Sequence, residues 1–312
     1  MTELKISVVL PTHNNAQILP DCLRRILSQT LPKEEYEVIV IDDGSMDGTV
    51  GVLREIRGIR VQSFDKNSGP SAARNAGILA AKAPIIVFIQ DDILVKPDFL
   101  EQHLSFHEER SDVASVLVGK TRFDPAVAQT PFMQWWEGKQ FGFPIGGIGE
   151  VGGISYLNFY PTNLSAKREF LLRNGLFDKE FFVNGHIGYE DTELGYRLWQ
   201  AGMRLYYNPA LKVLHRHLRS LKDICDQSYY KGQLARILYQ KHPELQGIFR
   251  DDLKFYLTRW FINSLTIGFL EPVAYWCESR IRFGLLFWLV CRFYYNKGYR
   301  GNKGDRGGGA NK

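Results

Sequence analysis

Pairs of neighbouring carboxylates recur in this sequence where an apolar run gives way to a turn, and these are the first places to look for chemistry. Ile85-Ile-Val-Phe-Ile-Gln90-Asp91-Asp92 is a wholly apolar run that ends in two acids. Such a pair offers the hard oxygen ligands that Mg²⁺ or Mn²⁺ takes when it bridges a diphosphate. Two adjacent carboxylates are unfavourable without a cation or a proton, which favours metal binding over a solvated pair. Ile39-Val-Ile-Asp42-Asp43-Gly44-Ser45 repeats the pattern. An Asp in that turn can accept from the N–H edge of a nucleobase or from ribose hydroxyls, or it can form an Asx-turn that caps the next helix; both readings stand.

Three further groups complete the set. Asn67-Ser-Gly69-Pro-Ser-Ala-Ala-Arg74-Asn75-Ala-Gly77 is a glycine-bearing turn opening a helix that carries Arg and Asn. It suits a diphosphate held by backbone N–H groups and a guanidinium, and equally a capped helix with a surface Arg. It matches neither the Walker pattern nor G-x-G-x-x-G, which argues against a P-loop or a dinucleotide site. Gly188-Tyr-Glu190-Asp191-Thr-Glu193 places acids at a helix start, where the helix dipole favours them whatever their function, while Gly185 and Gly188 leave room for a substrate. His215 and His217 follow a strand; a lone His is more often a satisfied partner than a ligand, but His215 stands at a strand end, where the other groups also converge.

The elements that must position these residues follow from periodicity. From Lys5 to about Ala114, β-rich runs alternate with helical patterns, the signature of βαβ units and a parallel sheet. Strands are expected at Ile6–Leu10, Glu37–Ile41, Ile59–Ser63 and Ile85–Ile89, with helices at Ile18–Gln29, Thr49–Arg57 and Ser71–Ala83. In such sheets ligands bind beyond the carboxyl ends of the strands, where the acid pairs lie. Residues 124–160 read as a long loop rich in Gly and aromatics. Trp135 and Trp136 within it suit either an acceptor contact or closing lid, or hydrophobic anchors against the next domain. Later elements are expected at Tyr160–Lys167, from Arg168, at Asp191–Ala201 ending at Gly202, and near Leu211–His215, followed by helices.

Taken in order, these motifs resemble the inverting, nucleotide-sugar-dependent glycosyltransferases of family two, which have the GT-A fold. The resemblance runs over roughly residues 4–217, through Val8-Val-Leu-Pro-Thr-His-Asn-Asn15, Asp42-Asp43-Gly-Ser, Asn67-x-Gly to Gly77, Gln90-Asp91-Asp92, Asn174-Gly-Leu-Phe-Asp178 and Glu190-Asp191. It implies an α/β fold, a Rossmann-like mixed sheet flanked by helices. It implies that Pro11 and Thr12 line the nucleoside, that Asp43 binds base or ribose, that Arg74 contacts base or diphosphate, and that Asp91 lies near the ribose. Asp92 and His215 would hold Mn²⁺ or Mg²⁺, and Asp191 would be the general base. Apart from the resemblance, Glu190, Trp135 and Trp136 are the candidate acceptor contacts, with the anchor alternative for the two Trp residues still open. One place departs from the family pattern: Gln90 stands where the metal motif usually opens with Asp.

Composition sets the remaining bounds. The chain has 312 residues, 45% hydrophobic and 23% charged, with four Cys, which excludes a disordered chain and a disulfide framework. No C-x-x-C spacing occurs, as expected of a reducing, cytosolic compartment, and the apolar run Ile6–Pro11 reads as a buried strand, not a leader. The net charge of +5 is uneven: residues 273–312 hold eight Lys/Arg against two Asp/Glu, and the rest is nearly balanced. From Leu253 to Tyr299 there are fourteen aromatics, and the longest uncharged runs, eleven and nine residues, fall short of the ~20 a spanning helix needs.

The expected organisation is a catalytic domain over 1–220, a helical, aromatic-rich extension over 221–300 and a disordered basic tail over 301–312. The extension is either packed helices or an interfacial anchor on the inner leaflet. Nucleic acid is not an expected partner, because no binding motif accompanies the basic charge. Gln233-Leu-Ala-Arg236-Ile237 has Ile where the membrane-spanning processive synthases have Trp, so a single addition to a saccharide or lipid-linked acceptor fits better. A non-catalytic sugar-nucleotide binder within a membrane-associated assembly is the alternative.

Overall fold

A computed structural model describes residues 3–127, 129–140, 154–247, 264–281 and 283–301. The glycines between 146 and 153 and nearly all of the expected disordered tail lie outside the described residues. The chain divides into two compact units; of the described residues, the first holds 3–127, 154–179 and 190–217, and the second holds 129–140, 180–189 and those from 218 onward.

The first unit is built on one eight-stranded sheet. Its strands are β1 (Ile6–Thr12), β2 (Tyr36–Asp42), β3 (Arg60–Ser63), β4 (Ile85–Ile89), β5 (Ile93–Leu94), β6 (Ser115–Phe123), β7 (Asn163–Lys167) and β10 (Arg204–His215), in the order β3-β2-β1-β4-β7-β6-β10-β5. β8 (Phe182–Val183) and β9 (His186–Ile187) form a separate hairpin in the second unit. The helices are α1 (Leu19–Ile26), α2 (Thr49–Glu55), α3 (Pro70–Ala80), α4 (Phe99–Glu108), α6 (Arg168–Arg173) and α7 (Glu190–Gln200). β1, β2 and β4 pair in parallel and are almost wholly buried, as continuous apolar runs covered on both faces should be.

β7 runs antiparallel between β4 and β6, and β5 antiparallel to β10, so the sheet is mixed. Because β6 pairs in parallel with β10, the strands β1, β2, β4, β6 and β10 all point the same way. Their carboxyl ends therefore share one edge with the amino end of β7, where Ile89 faces Asn163. That edge carries Thr12, Asp42, Asp92, Asp124 and His215.

β6 and α4 lack a legible signal in the sequence. α4 hides its inner face because two of its buried positions are histidines: His103 Nδ1 and His107 Nε2, one turn apart, both bond Ser165 Oγ on β7, at 2.8 and 2.9 Å. Burial, with the neighbouring imidazole for His103 and with Lys167 and Arg110 for His107, holds both down to about 3. The unfolded chain takes up these protons first, near pH 6.5, so the neutral pair stabilises the fold above that pH and the contribution is lost as pH falls toward 3. Each group contributes a slope of about 1.4 kcal/mol per pH unit inside that window. Urea unfolding at pH 7, 6 and 5 should show a flatter pH dependence for a His103→Leu/His107→Leu variant than for the parent; equal slopes would remove the histidines from the account.

The second unit is helical: α5 (Pro131–Gln140), α8 (Leu221–Lys241), α9 (Ser264–Glu278) and α10 (Gly284–Arg300). α5 corrects the expected continuous loop, and its buried Phe132 and Trp135 pack on Phe287 of α10 at ring separations of 5.2 and 5.7 Å. α8 opens with a capping box between Ser220 and Asp223. It lies directly on α10: a Cβ on Gly232 would overlap the Tyr295 carbonyl, and one on Gly298 the Tyr229 carbonyl. Glycine at both positions is what permits this backbone contact. Among the described residues no helix is long and apolar enough to cross a membrane.

Candidate active site

β10 and β5 build the centre of the site by register. His215 pairs with Ile93 and Leu214 with Leu94, and the Arg216 amide donates to the Asp92 carbonyl at 2.8 Å. In extended chain residues two apart face the same way, so His215 and His217 both turn to Asp92 while Arg216 turns away. His215 Nε2 and His217 Nδ1 each lie 3.0 Å from Asp92 Oδ2, and one ligand atom from each residue falls within 4.8 Å of the others. Arg216 is held on the opposite side by Asp124 (2.9 Å) and Asp21 (2.7 Å), which fixes the His-Arg-His segment between β6 and α1.

Burial would raise Asp92, but the His215 and His217 contacts outweigh it and hold this carboxyl well below the usual range. Next to it, burial and the Asp92 charge push Asp91 up, against a 2.6 Å bond from Thr12 Oγ1. Asp92 Oδ1 is buried and has no hydrogen-bond partner among the described residues. A buried carboxylate oxygen left in this state is costly, and a cation is a natural partner for it. One carboxylate and two imidazoles form a donor set suited to a divalent transition metal. The residues therefore fit a bound Mn²⁺. His217 joins the candidate donor set beside His215, and its i, i+2 spacing from His215 at a strand end carries that signal in the sequence.

The residues expected on the nucleotide side stand on the same edge, where several of them have partners within the protein. Pro11 and Thr12 end β1, half-buried and buried. Asp42 Oδ1 accepts from the Ser45 amide at 3.2 Å, the Asx-type turn. Asp43 accepts from the amides of Ser68 (2.7 Å) and Gly69 (2.8 Å). The backbone N–H groups expected to cradle a diphosphate are thus turned onto an internal carboxylate, because the end of β2 brings Asp43 within reach of them. His13, unassigned in the sequence, links Asp43 O and Asn67 through its two ring nitrogens at 2.7 and 3.0 Å.

Arg74 and Glu190, expected on the diphosphate and the acceptor, are joined in a buried ion pair at 3.3 Å, with Arg74 4% exposed and stacked over Phe177 at 5.2 Å. A guanidinium that deep requires a carboxylate partner. Asn75 beside it exchanges two hydrogen bonds with the backbone of Phe177, at 2.8 and 2.9 Å. Arg197 of α7 donates to the carbonyls of Asn174 and Leu176, each at 2.7 Å, and pairs with Glu193. The Arg74-Asn75 step thereby fastens the 174–178 segment and the start of α7 to α3, and so positions Asp191.

Asp191 is half-buried in the first turn of α7, and its Oδ1 accepts from the Thr192 amide at 2.7 Å. Burial and then the Asp191 charge push Tyr160 up to about 12, so Tyr160 faces Asp191 as a neutral hydroxyl. Tyr189, the residue before the first of α7, has φ 70°, an unusual conformation for a bulky side chain and one that concentrates at functional sites. Trp135 and Trp136 belong to the second unit, where Trp135 is buried against Phe287 of α10 and Trp136 is half-buried.

A mixed sheet with acids gathered beyond its carboxyl edge is the GT-A arrangement, and solved structures share it. A mannosyltransferase from Pyrobaculum calidifontis, in complex with GDP-Man and Mn²⁺, superposes with a TM-score of 0.59 at 14% identity over 94% of this chain and 87% of that one. S. aureus TarS 1–349 in complex with UDP superposes with a TM-score of 0.55 at 21% identity over 95% and 89%. The chain belongs to glycosyl transferase family 2, whose sequence profile matches residues 7–159. It is 30% identical to a validoxylamine A glucosyltransferase of Streptomyces hygroscopicus subsp. jinggangensis over 77% of this chain and 61% of that protein. It is 30% identical to a poly(ribitol-phosphate) beta-glucosyltransferase of Bacillus spizizenii over 38% and 19%. The chain thus spans from about a fifth to three-fifths of the length of these curated relatives.

Proposed function

We infer that this protein moves one sugar from a nucleoside diphosphate sugar to a hydroxyl of a saccharide or lipid-linked acceptor, with inversion at the anomeric carbon and with a divalent cation bound. The observation that carries the reading is the Asp92–His215–His217 cluster, with an Asp92 oxygen unpartnered among the described residues, at the sheet edge where this family's motifs meet. Two imidazoles in the donor set favour Mn²⁺ over Mg²⁺. Relatives of the same fold have been solved with GDP-Man and Mn²⁺ and with UDP, and a family relative is named for a polymeric poly(ribitol-phosphate) acceptor.

When bound, the cation supplies positive charge for the departing diphosphate. The chain's own residues do the rest. Pro11, Thr12, Asp43 and Asp91 line the nucleoside, Asp43 through the lone pairs that Ser68 and Gly69 leave free. A sugar hydroxyl is too weakly acidic to attack at neutral pH, so a carboxylate takes its proton as attack proceeds; Asp191 is that base. The Arg74–Glu190 pair holds the start of α7 in place for it. In-line displacement by the acceptor oxygen then inverts the anomeric carbon. Peripheral attachment to the cytosolic leaflet would bring the site to a lipid-linked acceptor.

One observation keeps a second reading open: Gln90 in place of the family's usual Asp suits a non-catalytic sugar-nucleotide binder in a glycan assembly. A thermal-shift screen tests the ligand class common to both. One of the UDP-, GDP- or dTDP-sugars is expected to raise the unfolding midpoint with Mn²⁺, by ~2.7 kcal/mol of stabilisation at 100-fold excess over Kd, and less with Mg²⁺. A midpoint that no nucleotide sugar moves in either metal would sink the assignment.

A further inference from the structure

α9 carries apolar residues on two faces, and among the described residues only one of these faces is covered. Ile267, Ala274 and Cys277 are buried. On the other side Phe269, Val273 and Trp276 stand at i, i+4 and i+7, a single stripe along the helix, with Phe269 80% and Trp276 53% exposed. Gly268 and Pro272 flank the stripe on one side and are also exposed. Ile281, Phe283 and Leu285, between α9 and the start of α10, are exposed as well. The outward face of a helix on a water-soluble domain is normally polar, and a contiguous apolar patch of this kind marks an interaction surface.

Its charge identifies the partner. The two acids of α9 are turned into the protein: Glu271 accepts from Tyr294 Oη (2.7 Å) and Tyr275 Oη (3.2 Å), and Glu278 from the Leu221 amide (2.6 Å). No carboxylate stands on the stripe. Arg280, exposed at its end, lies over the Trp276 ring at 5.3 Å, and residues 273–312 carry eight basic against two acidic side chains. Trp at an apolar–polar boundary with Arg beside it matches the interfacial region of a lipid bilayer. A 15-residue helix reaches only ~22 Å, short of the ~30 Å hydrocarbon core, and Pro272 sits inside it.

We propose that the Phe269–Val273–Trp276 face of α9, with Arg280, Ile281, Phe283 and Leu285, docks in the plane of an anionic lipid surface. This deepens the peripheral-membrane part of the function proposed above and rests on it. It also reassigns the aromatics of the C-terminal region. Phe287, Val290 and Cys291 of α10 are core, and α9 presents the lipid-facing side.

The test is flotation of the full chain with vesicles of phosphatidylcholine alone and with phosphatidylglycerol added. The parent should float with the anionic vesicles at least tenfold more than with the neutral ones. Phe269→Ser/Trp276→Ser should lose most of that binding and Arg280→Glu its preference for anionic lipid, while both keep the parent's unfolding midpoint and its response to Mn²⁺ with a nucleotide sugar. Variants that float like the parent would place the contact on another surface and leave membrane attachment standing. A parent that floats with neither vesicle overturns both, and a parent dimer in sedimentation that the double variant dissolves would make this face an interface between copies. The transferase reading fails separately, if the parent itself shows no response to nucleotide sugar.

Discussion

Replacing Asp92 by Ala is expected to abolish cation-dependent nucleotide binding. Asp92 is the one carboxylate in the cluster, and His215 and His217 both point at its Oδ2. Without it two imidazoles remain, and the neighbouring Asp91, which burial pushes toward its protonated form, is engaged by Thr12 Oγ1 at 2.6 Å. Loss of an outer-shell partner of a metal ligand reduces affinity by about 10–100-fold; loss of the anionic ligand itself should exceed that. Calorimetric titration of Mn²⁺ in the presence of UDP or GDP measures the effect directly. Asp92→Asn, which keeps the shape and removes the charge, should behave similarly, whereas binding within about threefold of the parent would mean that the cation is held elsewhere. The two histidines lose an acceptor in the Ala variant, at a cost of about 1–3 kcal/mol in stability, so its unfolding midpoint should be recorded alongside.

Asp191→Asn is expected to separate chemistry from binding. The Asn side-chain oxygen can still accept from the Thr192 amide, so the first turn of α7 is preserved. What disappears is a group able to take a proton from the acceptor hydroxyl. General-base removal reduces turnover by about 10²–10⁴-fold, and KM for the donor should change little, because the nucleotide-side residues are untouched. A variant that keeps more than a few per cent of turnover would move the base to another residue. Glu190 is the weaker candidate, since its carboxylate is committed to Arg74.

The parts of this site that were legible in the sequence are those carried by local pattern. β1, β2 and β4 are unbroken apolar runs, and the acids at their ends stand out against them. β10 was visible only as its last five residues. Its register shifts between Asn208 and Lys212, around Pro209, and a bulge with a proline reads locally as a turn. α5 was hidden because Trp, Gly and Gln blur its helical spacing, and α4 because buried histidines occupy its inner face. Partners far apart in sequence left no local trace. Arg74 and Glu190 are 116 positions apart, and Ser68 and Gly69 are 25 and 26 positions from Asp43. Each of these groups has a partner in another part of the fold, which local pattern does not encode. The insertion of β7 between β4 and β6 is likewise a matter of pairing that composition and periodicity do not encode.

The central claim is that the Asp92 cluster and Asp191 together perform metal-dependent transfer, beyond binding a nucleotide sugar. Its most direct test is release of nucleoside diphosphate from a panel of UDP-, GDP- and dTDP-sugars, with and without Mn²⁺, in the presence of mixed saccharide acceptors and detergent-dispersed lipid-linked acceptors. The account predicts release from at least one donor that requires the cation and is lost in Asp191→Asn. Release from none of them, with a nucleotide sugar still bound, would contradict it and leave the protein a binder.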